Sequence, residues 1–265
     1  MQADKGYKTA IVILLCVIAL QWFFLAQLLK EKPPAPRPVA LPPAAAYKGK
    51  IAIVLDDWGY NRKNLIFLKT IHAPLTLSIL PHLPYTHVIA ADAHTQGFEV
   101  ILHLPMEPHE KLRLEQDTIL VSMDATAIRS IAAKDIDDIY YAKGVSNHMG
   151  SKATEDARVM SILFGELKKR HMYFLDSAVS SKSACADAAT AANIPFAKRD
   201  IFLDNTEEPV YIKGQILKLA KKASLYKKAI GIGHDRKVTL EVLREAIPEL
   251  ERQGYKFVYL SELVR

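Results

Sequence analysis

The chain has 265 residues, half of them hydrophobic and 24% charged, with a formal net charge of +6. Its only cysteines, Cys16 and Cys185, lie in a predicted membrane span and an Ala-rich helix, which excludes an intrachain disulfide framework and a thiolate metal site. The positive charge is dispersed: Lys221-Lys222 and Lys227-Lys228 flank a predicted helix without interleaved aromatics, which reads as a solvated face and not as a nucleic-acid surface.

The amino-terminal segment does not read as globular. Thr9–Leu29 is apolar apart from Thr9, Gln21 and Gln27, and about 20 such residues span a bilayer. The run exceeds the roughly 7–15 residues of a signal-peptide core, and Lys30-Glu31-Lys32 follows it where a small-residue cleavage site would stand. An uncleaved signal anchor is expected, with residues 1–8 as a cytoplasmic tail. Lys5 and Lys8 before the span are nearly balanced by Lys30, Lys32 and Arg37 after it. The very short tail and the large following domain place that domain outside the cytoplasm, in the periplasm, held at the inner membrane. Residues 30–46, rich in Pro and Ala, predict a semi-rigid spacer. The 219 residues from Tyr47 onward suffice for one barrel-sized α/β domain.

That domain begins with Ile51-Ala-Ile-Val-Leu55, a continuous apolar run entering Asp56-Asp57-Trp58-Gly59. Such a run predicts a strand buried on both faces, as in parallel sheets covered by helices. Alternation continues along the chain. A helix is expected over Asn61–Ile71, a strand over Leu75–Leu80, a helix capped by Thr86 and closed by Gly97, and a strand over Phe98–Leu102 running into His103. A loop over His109–Val121 precedes a helix from Asp124 to Tyr140, and Gly144–Ser151 is a short glycine-bounded strand segment. Thr154–Arg170 predicts a helix and Met172–Leu175 a strand ending at Asp176-Ser177. Next come a helix over Ser180–Asn193, one or two strands within Ile194–Asn205, a helix over Pro209–Ala223, and the strand Ala229–Gly233 ending at His234. Thr239 caps a last helix to Gln253, which Pro248 should kink or end early. Lys256–Leu260 closes the sheet. About seven strand–helix alternations predict a distorted or incomplete (β/α) barrel of parallel strands.

In such a barrel the carboxyl ends of the strands share one rim. Asp56, Asp57, His82, His103, His148, Asp176, Arg199, Asp200 and His234 all follow strand-like runs. Imidazole and carboxylate together are the ligand set of zinc and related divalent ions. A phosphatase that begins with an aspartate at a strand end needs a second carboxylate two positions later, where Trp58 stands. Trp58 and Tyr60 read either as rim packing or as a sugar-stacking platform. His82, His87 and His94 read as surface or supporting residues, and Met106 and Met149 as gap fillers.

The set Ile53-Val-Leu-Asp56-Asp57-Trp-Gly-Tyr, His103-Leu-Pro-Met-Glu-Pro, Asn147-His148-Met-Gly-Ser, Phe174-Leu-Asp176-Ser177, Arg199-Asp200-Ile-Phe-Leu-Asp204-Asn205 and Ile232-Gly-His234 resembles the divergent polysaccharide deacetylases over residues 50–264. These are relatives of the carbohydrate esterases that remove N- or O-acetyl groups from chitin-like and peptidoglycan-like polymers. The resemblance implies one divalent metal ion, zinc foremost, an envelope polysaccharide as substrate, and hydrolytic deacetylation. It implies that Asp56 is the general base, Asp57 and His103 bind the metal, and His234 protonates the leaving group with support from Asp176 or Asp200. Arg199 would position the base. Where the better-known relatives carry His-x-x-x-His, this chain has Glu107 four residues after His103. That leaves His148 as the expected third ligand and Glu107 as the alternative. The same departure admits a rival reading, an inactive domain that binds envelope glycan.

Overall fold

The computed structural model describes residues 3–30 and 47–265; most of the spacer expected over residues 30–46 lies outside the described residues. Helix α1 runs from Ala3 to Lys30. Its Ala10–Leu28 stretch is long and apolar enough to be a membrane anchor or a signal sequence, and its 19 residues rise about 28 Å, close to the thickness of a hydrocarbon core.

Tyr47–Arg265 is a compact unit with its own core. In chain order it contains β1 (Gly49–Trp58), α2 (Leu65–Leu68), β2 (Thr76–Ile79), α3 (Thr86–Thr95), β3 (Glu99–Met106), α4 (Ala125–Asp138), β4 (Gly144–Met149) and α5 (Ala157–Lys169). It continues with β5 (Tyr173–Asp176), α6 (Cys185–Ala192), β6 (Phe196–Lys198), β7 (Ile201–Phe202), α7 (Pro209–Tyr226), β8 (Lys228–His234), α8 (Lys237–Arg252) and β9 (Tyr255–Phe257). All strand pairings are parallel, in the order β6-β5-β4-β3-β2-β1-β8-β7, with β9 on the first residues of β1. The two ends of this path, β6 and β7, are consecutive in sequence and joined only by Arg199-Asp200. One extended segment therefore pairs with β5 through its first half and with β8 through its second. Chain continuity across that seam curls the sheet into the expected distorted (β/α) barrel.

Side-chain alternation sorts each strand. On β1, Ile51, Ile53 and Leu55 join the helices in the larger core, while Ala52 and Val54 join Ile101, Leu175, Ile230 and Ile232 in a smaller core inside the curl. Each inward column is apolar at mid-height and turns polar at its carboxyl end: Val54 to Asp56, Ile101 to His103, Ile232 to His234. Val258, Leu260 and Leu263 fill the opposite mouth.

Several expected boundaries shift for local reasons. The helix expected over Asn61–Ile71 shrinks to Leu65–Leu68, because the Asn61 side chain accepts from Lys63 N and Asn64 is spent on Asp235. Thr86 is the first residue of α3, and its hydroxyl bonds back to Leu80 O; Tyr85 is the cap. Thr239 is buried inside α8 and donates to Asp204. Pro248 interrupts nothing: it and Arg244, whose carbonyl it leaves without a donor, lie on the exposed face of α8. Asp124 caps α4 through Ala127 N, and α5 starts at Ala157 under the Asp156 cap after a short 3₁₀ turn.

Gly49 shows how tightly α7 is seated on β1. A Cβ there would clash with the backbone oxygen of Ala223, so Gly49→Ala is expected to destabilise by about 1–3 kcal/mol through overpacking. Gly165 faces open space on α5, and Gly165→Ala is expected to stabilise by about 0.5–1 kcal/mol. Thermal denaturation of the full chain in detergent checks both, the midpoint moving roughly 2–4 °C per kcal/mol in opposite directions.

Candidate metal centre

Alternation should send the side chains of Asp56 and Asp57 to opposite faces of the sheet. Asp56 takes the inward position, 3% exposed. Asp57 would turn outward, but its φ is +65° and the β1–β2 register slips between Leu55 and Trp58. A left-handed residue in a bulged strand redirects its side chain, and aspartate is one of the few residues that tolerate the conformation. Both carboxylates thereby reach the rim.

There Asp57 Oδ1 lies 3.0 Å from His148 Nδ1 and 3.2 Å from His103 Nε2. One ligating atom from each of the three residues falls within 4.8 Å of the others. Ligands held at about 2.0–2.2 Å by a tetrahedral ion stand roughly 3.3–3.6 Å apart, close to these spacings. Three ligands of N, N and O type leave a fourth position open, as catalytic zinc sites do. His148 Nε2 and Asp56 Oδ1 are buried without a protein partner, so the centre holds more polar capacity than its own side chains satisfy. The residues present fit a divalent ion.

Asp56 Oδ2 approaches His103 Nε2 at 3.7 Å. Burial pushes the Asp56 carboxyl above its usual range, His103 opposes that, and Asp57 adds to it. Burial acts the same way on Asp57, but hydrogen bonds from His103 and His148 outweigh it and hold that carboxyl far below the ordinary value. The adjacent pair is split into a readily ionised carboxyl, Asp57, and one of higher proton affinity, Asp56.

His234 ends β8 with Nε2 3.9 Å from Asp57 Oδ2. Its Nδ1 is 2.8 Å from Asp204 Oδ1, and its backbone N–H donates to Asp204 Oδ2 at 2.8 Å. Asp204 is wholly buried and also accepts from Thr239 Oγ1. Burial lowers the proton affinity of His234, but the Asp204 hydrogen bond and charge override it, and the imidazole pKa is raised. The carboxylate on His234 is thus Asp204, not Asp176 or Asp200. Asp176 accepts from Ala178 N and Ser183 Oγ. Asp200 pairs with Lys222 at 2.7 Å and accepts from Ile230 N, roughly 13 Å below His234 at the spacing of a strand. Asp204 lies within the run Arg199–Asn205, and the signal for its role is register, since Leu203 N bonds Ile232 O and so sets Asp204 beside His234.

The sequence profile of the divergent polysaccharide deacetylase family matches residues 53–264. The chain belongs to that family. It is 33% identical over 202 residues to YibQ of Escherichia coli strain K12, a match covering 76% of this chain and 63% of that protein, so it spans less than two thirds of that relative. The protein ATU2773 of Agrobacterium tumefaciens C58 has a structure of TM-score 0.78 at 23% identity, over 84% of this chain and 92% of that one. A structure of the T48 deacetylase with substrate gives a TM-score of 0.53 at 14% identity, over 81% and 90%. At these identities the two structures show a shared fold alone.

The cluster of Asp57, His103 and His148 does not recruit Glu107. Its Oε1 lies 2.6 Å from Lys152 Nζ and its Oε2 accepts from Val121 N at 2.6 Å. His148, from the neighbouring strand, stands with Asp57 and His103 instead. Arg199 donates to Ser177 O and Ala178 O, with its guanidinium 4.3 Å over the Phe202 ring, which stacks on His234. Trp58 is wholly buried packing, whereas Tyr60 stays 45% exposed and donates to Glu115. His82, Asp135 and Asp138 form a separate hydrogen-bonded cluster, with His82 Nε2 2.8 Å from Asp135 Oδ1 and His82 N donating to Asp138 Oδ2. The left-handed backbone of Asp57 makes a prediction of its own. Asp57→Asn should fold normally, and Asp57→Val should be less stable than Asp57→Asn by about 1–2 kcal/mol, measured by thermal denaturation of the two variants side by side.

Proposed function

We propose that the chain is a metal-dependent hydrolase that removes acetyl groups, by amide or ester cleavage, from a cell-envelope polysaccharide, using one divalent ion, zinc by the character of its ligands. The observation that carries this reading is the convergence of Asp57, His103 and His148 at one rim, with Asp56 and His234 against the same cluster. The family and the fold support the reaction class. Helix α1 supports attachment to the inner membrane, with the hydrolase on the periplasmic side where such polymers lie.

A divalent ion held by Asp57, His103 and His148 supplies Lewis acidity to the acetyl carbonyl and to the attacking water. Asp56 accepts the proton of that water as its oxygen bonds to the acetyl carbon. His234, protonated through its hold on Asp204, presents Nε2–H to the departing nitrogen or oxygen and gives it that proton as the bond breaks. Acetic acid, which ionises in solution, and a neutral amine or alcohol leave, and the proton held by Asp56 is exchanged through solvent for the one His234 has given up. Arg199 sets positive charge near Asp56 and Asp176, which biases Asp56 toward the form that accepts a proton.

The test takes the full chain in detergent, loads it with Zn²⁺ or Co²⁺, removes free ion and measures bound metal and acetate release from N- and O-acetylated oligosaccharides. One equivalent of metal and catalytic acetate release are expected. Asp57→Asn, His103→Ala and His148→Ala should each lose the metal, while Glu107→Gln keeps it. A chain that takes up no metal, or binds glycan and releases no acetate, overturns the reading in favour of a glycan-binding domain.

The pH profile follows from the two opposed groups. Activity requires Asp56 ionised and His234 protonated. Because the His234 pKa is raised, the alkaline limb of kcat/KM should lie above the ordinary histidine value of about 6.5. Asp204→Asn removes the charge that raises it, so that limb should move to lower pH, with the plateau rate falling about 10- to 100-fold. An unmoved alkaline limb would show that His234 is not the titrating acid.

A further inference from the structure

A second group of ligand atoms lies apart from the first. His82 follows β2, Asp135 sits on the buried face of α4, and Asp117 stands in the loop between β3 and α4. One ligating atom from each lies within 4.8 Å of the others. His82 Nε2 and Asp135 Oδ1 are 2.8 Å apart, near the spacing of adjacent ligands on an octahedral ion that holds them at about 2.0–2.1 Å. Asp135 is wholly buried. With Oδ1 on His82 its carboxylate faces the group, and its Oδ2 has no protein partner. A buried carboxylate oxygen without a donor is costly. Burial pushes the Asp135 carboxyl up to about 6, His82 opposing the shift and Asp117 adding to it.

The surrounding charge has the same sense. Asp117, Asp135 and Asp138 bring three carboxylates near His82, against the single ammonium of Lys134, which pairs with Asp117 Oδ2. Asp138 is already engaged, since its Oδ2 accepts from His82 N and its Oδ1 meets His87 Nε2. Asp135 has no such complement for its second oxygen. The cluster of Asp57, His103 and His148 shows the same signature, imidazole against carboxylate with a buried polar atom left over.

We propose that His82, Asp117 and Asp135 form a second divalent-cation site, separate from the first cluster, whose ion pins the loop before α4 to α4 and to the end of β2. One imidazole and two carboxylates, with the remaining positions left to water, suit Mn²⁺ and its neighbours. The loop that supplies Asp117 also carries Glu115, which accepts from Tyr60, three residues beyond Asp57. An ion on Asp117 therefore steadies a segment that Tyr60 ties to the end of β1. Lys134 competes for Asp117, and His82 and Asp117 are partly exposed, so this ion exchanges readily. It leaves with free metal and adds nothing to the one equivalent that the first cluster retains. The simple alternative is that His82 and Asp135 share a proton and nothing more.

The experiment loads the full chain in detergent with Zn²⁺, removes free ion, and titrates Mn²⁺ while electron paramagnetic resonance reads the unbound ion. One Mn²⁺ per chain should bind. Asp135→Asn should weaken that binding about 10-fold or more, since a lost ligand costs at least what a lost orienting partner does. Asp135 is out of reach of solvent, so diffuse surface attraction would not respond in this way. His82→Asn should act alike while keeping a residue that tolerates the left-handed backbone at this position. Lys134→Ala, which frees Asp117, should strengthen binding several-fold. Mn²⁺ should also slow tryptic cleavage at the exposed Lys111 and Arg113 in the wild type and not in Asp135→Asn.

No Mn²⁺ uptake, or uptake that Asp135→Asn and His82→Asn both leave unchanged, overturns the proposal. Uptake without protection of the loop overturns the pinning. If Asp135→Asn does not fold, His82→Asn decides alone. His103→Ala, titrated without Zn²⁺, should keep the Mn²⁺ site; uptake lost there and kept in Asp135→Asn would place Mn²⁺ in the first cluster alone and overturn the second site. A wild type that retains no Zn²⁺ overturns the hydrolase reading and leaves this titration to be read by itself.

Discussion

The centre depends on one backbone torsion. A regular strand presents neighbouring residues to opposite faces, so two adjacent aspartates on a β-strand would ordinarily serve two different environments. At Asp57 a φ of +65° breaks that alternation. The energy of the left-handed conformation, on the order of 1 kcal/mol for a non-glycine residue, is offset by hydrogen bonds from two histidines on two other strands. Strain of this kind persists where its surroundings over-determine it. Here the surroundings are β3 and β4, whose register with each other sets Pro105 beside His148.

From that torsion the electrostatics follow. Two carboxylates on consecutive residues repel, and burial sharpens the repulsion. The structure relieves it by giving the two groups unequal company. Asp57 receives both imidazoles, whereas Asp56 sits deeper, with Oδ1 unpartnered and His103 Nε2 no nearer than 3.7 Å. Like groups driven apart in proton affinity by their environments are the general signature of an acid–base pair in one site. His234 is treated in the opposite sense, since its burial is overcome by a wholly buried Asp204.

Much of this was legible in the sequence because the fold writes itself in continuous apolar runs. Ile51–Leu55, Phe98–Leu102 and Ala229–Gly233 each run into a polar residue, and in a parallel barrel those residues meet. Thus Asp57, His103 and His148 were readable among nine rim candidates from strand ends, and the resemblance to the deacetylases singled them out as ligand candidates. What stayed hidden were features decided by side-chain contacts between distant segments. The stretch Asn61–Ile71 has helical spacing, yet Asn64 is drawn to Asp235 across 171 positions. Thr239 has the look of a cap, yet it is buried against Asp204. Nothing in the spacing of Glu107 showed that Lys152 would claim it.

The choice among Asp176, Asp200 and Asp204 turns on the seam. Read as one strand after another, Lys198-Arg199-Asp200 looks like a polar strand end, and its carboxylate looks like a rim group. The segment instead changes partners at that point, pairing β5 before Arg199 and β8 after Asp200. A strand that switches partners has its rim end further along the chain. Ile201 pairs Gly231 and Phe202 pairs Ile232, so the rim is reached only beside His234, at Asp204. Asp200 is left at mid-height, where its carboxylate accepts from Ile230 N and binds Lys222 of α7. Arg199, at the crossing itself, donates its backbone N–H to Asp176 O of β5, and its side chain folds back over Phe202 toward the centre. The same discontinuity that leaves the barrel incompletely paired thus delivers an arginine, an aromatic ring and a carboxylate to His234 within six residues.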